Sequence, residues 1–180
     1  MEFRDVIEQR KSIRSFSDQP VDEATLTYIL ECAQKAPSWA NKQCWRFIVI
    51  RNKEIIQQVA KTSVVNHWVK TAPCLIIACG DPTESGLHND MQYFLVDVAI
   101  AFEHLILAAT DVGLGSCWIG GFDEQKIKDL LEIPKRIRVV AFSPIGYPSA
   151  KPSLREKAIK VLARTTARKS LAEIVHYEKW

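Results

Sequence analysis

The sequence predicts an α+β fold, and three observations carry that reading. Segments with helical and strand spacing alternate along the chain. The glycine fingerprints of nucleotide-binding parallel sheets are missing: there is no G-x-x-x-x-G-K-[ST], and Gly113-Leu114-Gly115 follows a helix without a third glycine at the right spacing. The composition, 47% hydrophobic and 25% charged over 180 residues, is that of one globular domain with a sizeable core. Disordered, collagenous and low-complexity chains are excluded.

The elements follow in order. Glu2 to Gln9 reads as a short first helix. Asp22 is a plausible N-cap for a second, in which Leu26, Ile29, Leu30 and Ala33 form the apolar stripe and Pro37 stops the run after Ala36. Arg46 to Ile50 is a short β-branched run, hence a strand, and Lys53 to Lys61 resumes helical spacing. Pro73 to Cys79 is a buried strand ended by Gly80-Asp81-Pro82. Asp90 to Val112 is a long helix, apolar on most of its circumference, which places it at the centre of the fold or under a partner. Ser116 to Ile119 is a third strand, Asp123 caps a helix to Leu131, and Arg136 to Ile145 is a fourth strand. Beyond Pro148 the texture changes: Lys151 to Ser170 holds seven basic residues and one acid, a charged helix or arm, and Leu171 to Tyr177 suits a last short strand. Residues 1–180 thus read as a single domain with 151–180 as a C-terminal arm.

Charge and cysteine usage narrow the class. The net charge of +3 gives no strong prior for wrapping duplex DNA, which takes many uncompensated basic groups. That total hides an uneven distribution. Residues 10–14 carry three basic groups and no acid, and outside these and residues 151–170, 14 basic residues face 20 acidic ones. Five cysteines without a C-x-x-C, and an N-terminus without an apolar signal core, predict reduced thiols in a cytoplasmic protein. The apolar stretch Met91 to Thr110 has membrane-spanning length, but Asp97 and Glu103 within it favour a buried helix and no membrane. The four histidines are scattered, so no metal site is expected. No G-x-S-x-G elbow supports a hydrolase triad.

Three segments carry possible chemistry. Arg10-Lys11-Ser12-Ile13-Arg14 sets three fixed cations and a hydroxyl where the first helix ends, suited either to phosphate oxygens or to the negative end of that helix. Pro37-Ser38-Trp39-Ala40-Asn41-Lys42-Gln43 is a turn rich in side-chain amides, suited to reading a heterocycle edge or simply to satisfying a turn backbone. Gly120-Gly121 lies between a strand and a helix start, where a backbone can approach a ligand or merely turn tightly.

These segments in this order, with Arg168-Lys169-Ser170-Leu171 near the end, resemble the nitroreductase family of FMN-dependent oxidoreductases over nearly the whole chain. The resemblance implies a mainly antiparallel sheet flanked by helices and an intertwined homodimer with two FMN molecules at the subunit interface. It implies that Arg10, Lys11, Ser12 and Arg14 contact the FMN phosphate and flavin edge, with Arg168 as a second phosphate-binding arginine. Pro37, Ser38, Trp39 and Asn41 reach FMN from the other subunit, and the backbone of Gly120 and Gly121 approaches flavin N5 and O4. Arg14 then stabilises the negative charge of the reduced ring, and the Gly120-Gly121 turn tunes N5. NADH or NADPH is the co-substrate, and a nitroaromatic, quinone or related small molecule takes the electrons in a ping-pong cycle. Other reactions on the same scaffold (reductive dehalogenation, enal or aldehyde reduction, flavin breakdown) and non-catalytic flavin binding are the alternatives. Trp39 stands where smaller residues are usual, Cys44 replaces a common proline before Trp45, and Val64 to Trp68 shows no match to the flavin-reading residues of the larger enzymes.

Overall fold

The computed structural model describes residues 1–150 and 167–180. It divides into two compact units, Met1–Ala150 and Lys151–Trp180.

The first unit holds α1 (Phe3–Gln9), α2 (Glu23–Gln34), β1 (Trp45–Ile50), α3 (Lys53–Lys61), β2 (Cys74–Gly80), β3 (Leu87–His88), β4 (Met91–Gln92), α4 (Tyr93–Asp111), β5 (Gly115–Ser116), α5 (Glu124–Leu130) and β6 (Arg138–Gly146). Capping fixes several of the helix starts. The Asp22 carboxylate accepts from the Thr25 N–H at 2.8 Å, Asn52 accepts from Glu54 and Ile55, and Asp123 accepts from Lys126.

The main sheet runs β1-β2-β6-β5 with every pair antiparallel. β2 is buried along its whole length, so both of its faces are covered. Cys74, Ile76 and Ala78 share a core with Leu26, Ile29 and Ala33 of α2 and Phe94, Val98 and Phe102 of α4. Leu75, Ile77 and Cys79 share the other with Ile56 and Val59 of α3, Ile127 of α5, and Ile13 and Phe16 from the segment after α1. The unit is therefore three-layered. This is the predicted α+β architecture, with the strands from 45, 74 and 138 within two residues of their expected starts.

Four expectations need correction. The long helix begins at Tyr93, not Asp90, because Asn89 and Asp90 take left-handed φ of 48° and 61° and form the two-residue turn between β3 and β4. Asn and Asp tolerate that region better than other side chains. The third strand is shorter than 116–119. Gly115 and Ser116 pair with Gly146 and Ile145, and Ile119 bridges Phe142 in the same register. Between them Pro144 has no N–H to give, and the Cys117 N–H turns to the Ser143 hydroxyl at 3.0 Å. The second helix stops at Gln34, before Ala36.

In the second unit, Leu171–Ile174 is a helical turn, α6, where a strand was expected. A capping box explains it: the Glu173 carboxylate accepts from the Ser170 N–H at 2.8 Å, and the Ser170 side chain is bonded to the backbone of Glu173. Positions 151–166 of the expected basic arm lie outside the described residues.

Candidate functional site

The cationic segment is brought to the edge of the sheet. Arg10 caps the C-terminal end of α1, its N–H donating to the Val6 carbonyl, and the chain then runs beside β5. Ser12 makes a parallel bridge to Ser116, and the Ile13 N–H donates to the Ser116 carbonyl at 2.8 Å. Ile13 is buried while Ser12 and Arg14 are half-buried and Lys11 is exposed. Alternation along an extended strand thus buries the apolar residue and leaves the hydroxyl and guanidinium outside. The approach needs Gly115: a Cβ there would lie 2.8 Å from Cβ and Cγ1 of Ile13. Phe16 and Ser15 continue the seam by pairing with Pro148 and Ser149.

The stretch that receives the cationic segment runs on from Ser116 to Gly120 and Gly121, so two of the three segments are joined by backbone pairing. Both glycines are exposed, and a Cβ on either would meet nothing within 4 Å. Space over this turn is open. Among the described residues no salt bridge engages Lys11 or Arg14; the Arg14 guanidinium is 3.5 Å from the Ser12 carbonyl. Arg10 lies near Glu103, whose half-buried carboxyl is pushed up by burial while Arg10 and His104 pull the other way.

The Pro37–Gln43 turn is built elsewhere. Trp39–Asn41 forms a single helical turn in which Ala40 and Asn41 take φ of 46° and 56°, and Gln43 follows at 53°. Non-glycine residues held there carry strain of about 1 kcal/mol or more each. Asp97 on α4 holds the turn: its carboxylate, 3% exposed, accepts from the Trp39 N–H at 2.8 Å and the Ser85 hydroxyl at 2.6 Å, with the Cys44 thiol at 3.6 Å. Burial and the neighbouring Asp97 charge push the Cys44 thiol up to about 12, so it stays protonated. The Ser38 hydroxyl accepts from the Gln43 N–H, and the Gln43 amide from its side chain donates to Asn41. The Trp39 ring lies 4.4 Å from Tyr93 and against Gly86, where a Cβ would come within 2.3 Å of it. Among the described residues no hydrogen bond links this turn to residues 10–14 or 120–121.

The loop bearing Ser85 and Gly86 is itself anchored. Burial would raise the Asp81 carboxyl, but the Arg136 guanidinium at 2.7 Å and the Thr83 hydroxyl and N–H outweigh it and bring it to about 2. A carboxyl depressed on folding stabilises above its unfolded value near 4, and that contribution fades as the pH falls towards 2. Arg136 is 65% exposed, so solvent screening limits the effect. Asp81→Asn should lower stability by about 1 kcal/mol at pH 7. Urea unfolding should show the gap narrowing between pH 4 and pH 2.

Arg168 belongs to the second unit, where it is exposed and donates to the Ala167 carbonyl at 2.8 Å.

Two groups escaped the sequence reading of the site. Asp97 was visible as an acid inside an apolar helix, a signal of a buried polar role that pointed to no particular partner. Ser63, which meets the Gly120–Gly121 turn, and Asn66, which meets Ser63, sit in a segment whose composition gives no cue.

Comparison with known proteins agrees with this geometry. A profile of the Nitroreductase family matches residues 7–65 and 60–147. The crystal structure of a nitroreductase family protein from Clostridium novyi NT shares 41% identity and a TM-score of 0.81, covering 83% of this chain and 87% of that one. A protein of Methanothermobacter thermautotrophicus, provisionally named an NADH dehydrogenase/NAD(P)H nitroreductase, is 32% identical over 87% of this chain and 82% of its own. The FMN reductase [NAD(P)H] of Bacillus subtilis is 28% identical over 83% of this chain and 68% of its own. Fold, profile and relatives coincide over the same residues that form the sheet and its cationic edge, and the chain belongs to the nitroreductase family.

Proposed function

We propose that the protein is an NAD(P)H-dependent FMN oxidoreductase that works as a homodimer and passes electrons to a nitroaromatic, quinone or related acceptor. One observation carries the reading: the backbone pairing at Ser12–Ser116 joins a cationic segment to the stretch that runs on to an open glycine turn. The residues present fit FMN. Lys11 and Arg14 offer cations to a phosphate and an electron-rich ring edge, and Gly120 and Gly121 leave room for a planar group to approach the backbone. The Bacillus relative is named as a reductase of FMN that uses NAD(P)H.

The chemistry FMN supplies when bound is two-electron transfer between a nicotinamide and an oxidised acceptor. The chain binds, orients and tunes. Arg10, Lys11, Ser12 and Arg14 hold the phosphate and ring edge. The Arg14 guanidinium stabilises negative charge there as a fixed donor stabilises an oxyanion. Gly120 and Gly121 present main-chain amides without side chains in the way. Pro37, Ser38, Trp39 and Asn41 serve the partner's site, which accords with their separation from the cationic edge within one chain.

The homodimer has structural support in exposed apolar surface. Leu95 and Val96 on α4 are 46% and 40% exposed, and a groove of about 420 Å³ between α1, α2 and α4 is lined by Phe3, Val6, Tyr28, Leu107 and Ala108. Anaerobic reduction of the flavin-loaded protein by NADH or NADPH tests the reading.

A further inference from the structure

We propose that Ser63, with Asn66 and Trp68 behind it, is the positioning residue that fixes the Gly120–Gly121 turn for the flavin; the inference rests on the FMN reading above.

Two adjacent exposed glycines leave a backbone with the largest conformational freedom available, and a turn meant to present amides in one direction needs that freedom removed from outside. The structure shows where this happens. Before the turn, Ile119 and Phe142 exchange N–H to carbonyl bonds at 2.9 and 3.0 Å, and after it the Asp123 N–H donates to the Thr62 carbonyl at 2.9 Å. Within the turn itself, the Ser63 hydroxyl donates to the Gly121 carbonyl at 2.6 Å.

Ser63 is 1% exposed, and its hydroxyl is one end of a relay. The Trp68 indole N–H donates to Asn66 Oδ1 at 3.2 Å, and Asn66 Nδ2 donates to Ser63 Oγ at 3.0 Å. An indole nitrogen can only donate, which sets the Asn66 amide orientation and leaves the single Ser63 proton for Gly121. All three bonds therefore point towards the turn, an arrangement in which each strengthens the next. Trp68 in turn stacks on Phe16 at 6.5 Å, and Phe16 lies two residues beyond Arg14 on the same extended stretch. The relay ties the glycine turn to the strand that carries Ser12 and Arg14.

The test compares the parent with Ser63→Ala, Ser63→Thr and Trp68→Phe. Amide hydrogen exchange is read on flavin-free protein, and FMN affinity and the rate of reduction by nicotinamide on flavin-loaded protein. Losing the bond to Gly121 should speed exchange over residues 120–123 about fivefold in S63A, with S63T restoring it. Misplacing the turn should slow reduction about tenfold, while FMN affinity changes less than about threefold because the cationic grip is intact. W68F, which removes the indole donor and keeps an aromatic ring, should show the same pattern in smaller degree. If S63A does not fold, W68F carries the test alone. Exchange at 120–123 and a reduction rate both within twofold of the parent would overturn the proposal, as would equal acceleration of exchange across the whole chain. The exchange arm needs no flavin, so a protein that takes up no FMN refutes the functional reading without obscuring whether Ser63 pins the turn.

Discussion

Replacing Asp97 with alanine should cost about 3 kcal/mol of stability and weaken FMN binding by at least tenfold, the magnitude following from two strong donors left without their charged acceptor. The argument starts from strain. Ala40, Asn41 and Gln43 all occupy left-handed φ, and such a turn persists only where its surroundings over-determine it. Asp97 is the group that does so, gathering the Trp39 N–H and the Ser85 hydroxyl from two different loops onto one buried carboxylate. Without it, the Trp39 N–H and the Ser85 hydroxyl lose their acceptor and the turn loses its reason to hold that shape. The deficit should be smaller for Asp97→Asn, which keeps an oxygen for the Trp39 N–H. Denaturant unfolding and flavin-fluorescence titration of both variants check this. Equal loss in D97A and D97N would assign the effect to charge and not to the hydrogen bonds.

Gly115→Val should be comparably damaging for a different reason. Its Cβ alone would stand 2.8 Å from branched carbons close to the backbone of Ile13, which cannot swing aside as the far end of a long side chain can. Overpacking of this kind costs about 2 kcal/mol, and here it also breaks the bond from the Ile13 N–H to the Ser116 carbonyl. Ser12 and Arg14 move with Ile13, so FMN affinity should fall at least tenfold. Gly120→Ala is the matched control. A Cβ there meets nothing, so the thermal midpoint should stay close to the parent's while the added methyl group stands in the space proposed for the ligand. Parent-like FMN affinity in G115V would mean that the cationic segment does not hold the cofactor.

What the sequence revealed follows the physics of each signal. Strands β1, β2 and β6 and helices α2 to α5 rest on local periodicity and side-chain caps such as Asp22, Asn52 and Asp123, all written in adjacent residues. The cationic cluster and the glycine pair were likewise legible as chemistry. Their meeting was not, because it depends on a parallel bridge between Ser12 and Ser116, over a hundred positions apart, and on the missing Cβ of Gly115. The start of α4 was misjudged where two left-handed residues, Asn89 and Asp90, interrupt an otherwise helical pattern. The last element, Leu171 to Tyr177, is expected as a strand, while Ser170 and Glu173 already spell a helix start. The partners of Asp97 and Ser63 are not legible for a common reason: each acts on backbone atoms of a distant turn, and backbone acceptors and donors leave no mark in composition.

Anaerobic titration of the flavin-loaded protein with NADH and with NADPH tests the central claim most directly. The account predicts that at least one nicotinamide bleaches the flavin absorbance stoichiometrically, and that a quinone or nitroaromatic added afterwards restores it. A protein that takes up no FMN, or holds FMN that neither nicotinamide reduces, would contradict it.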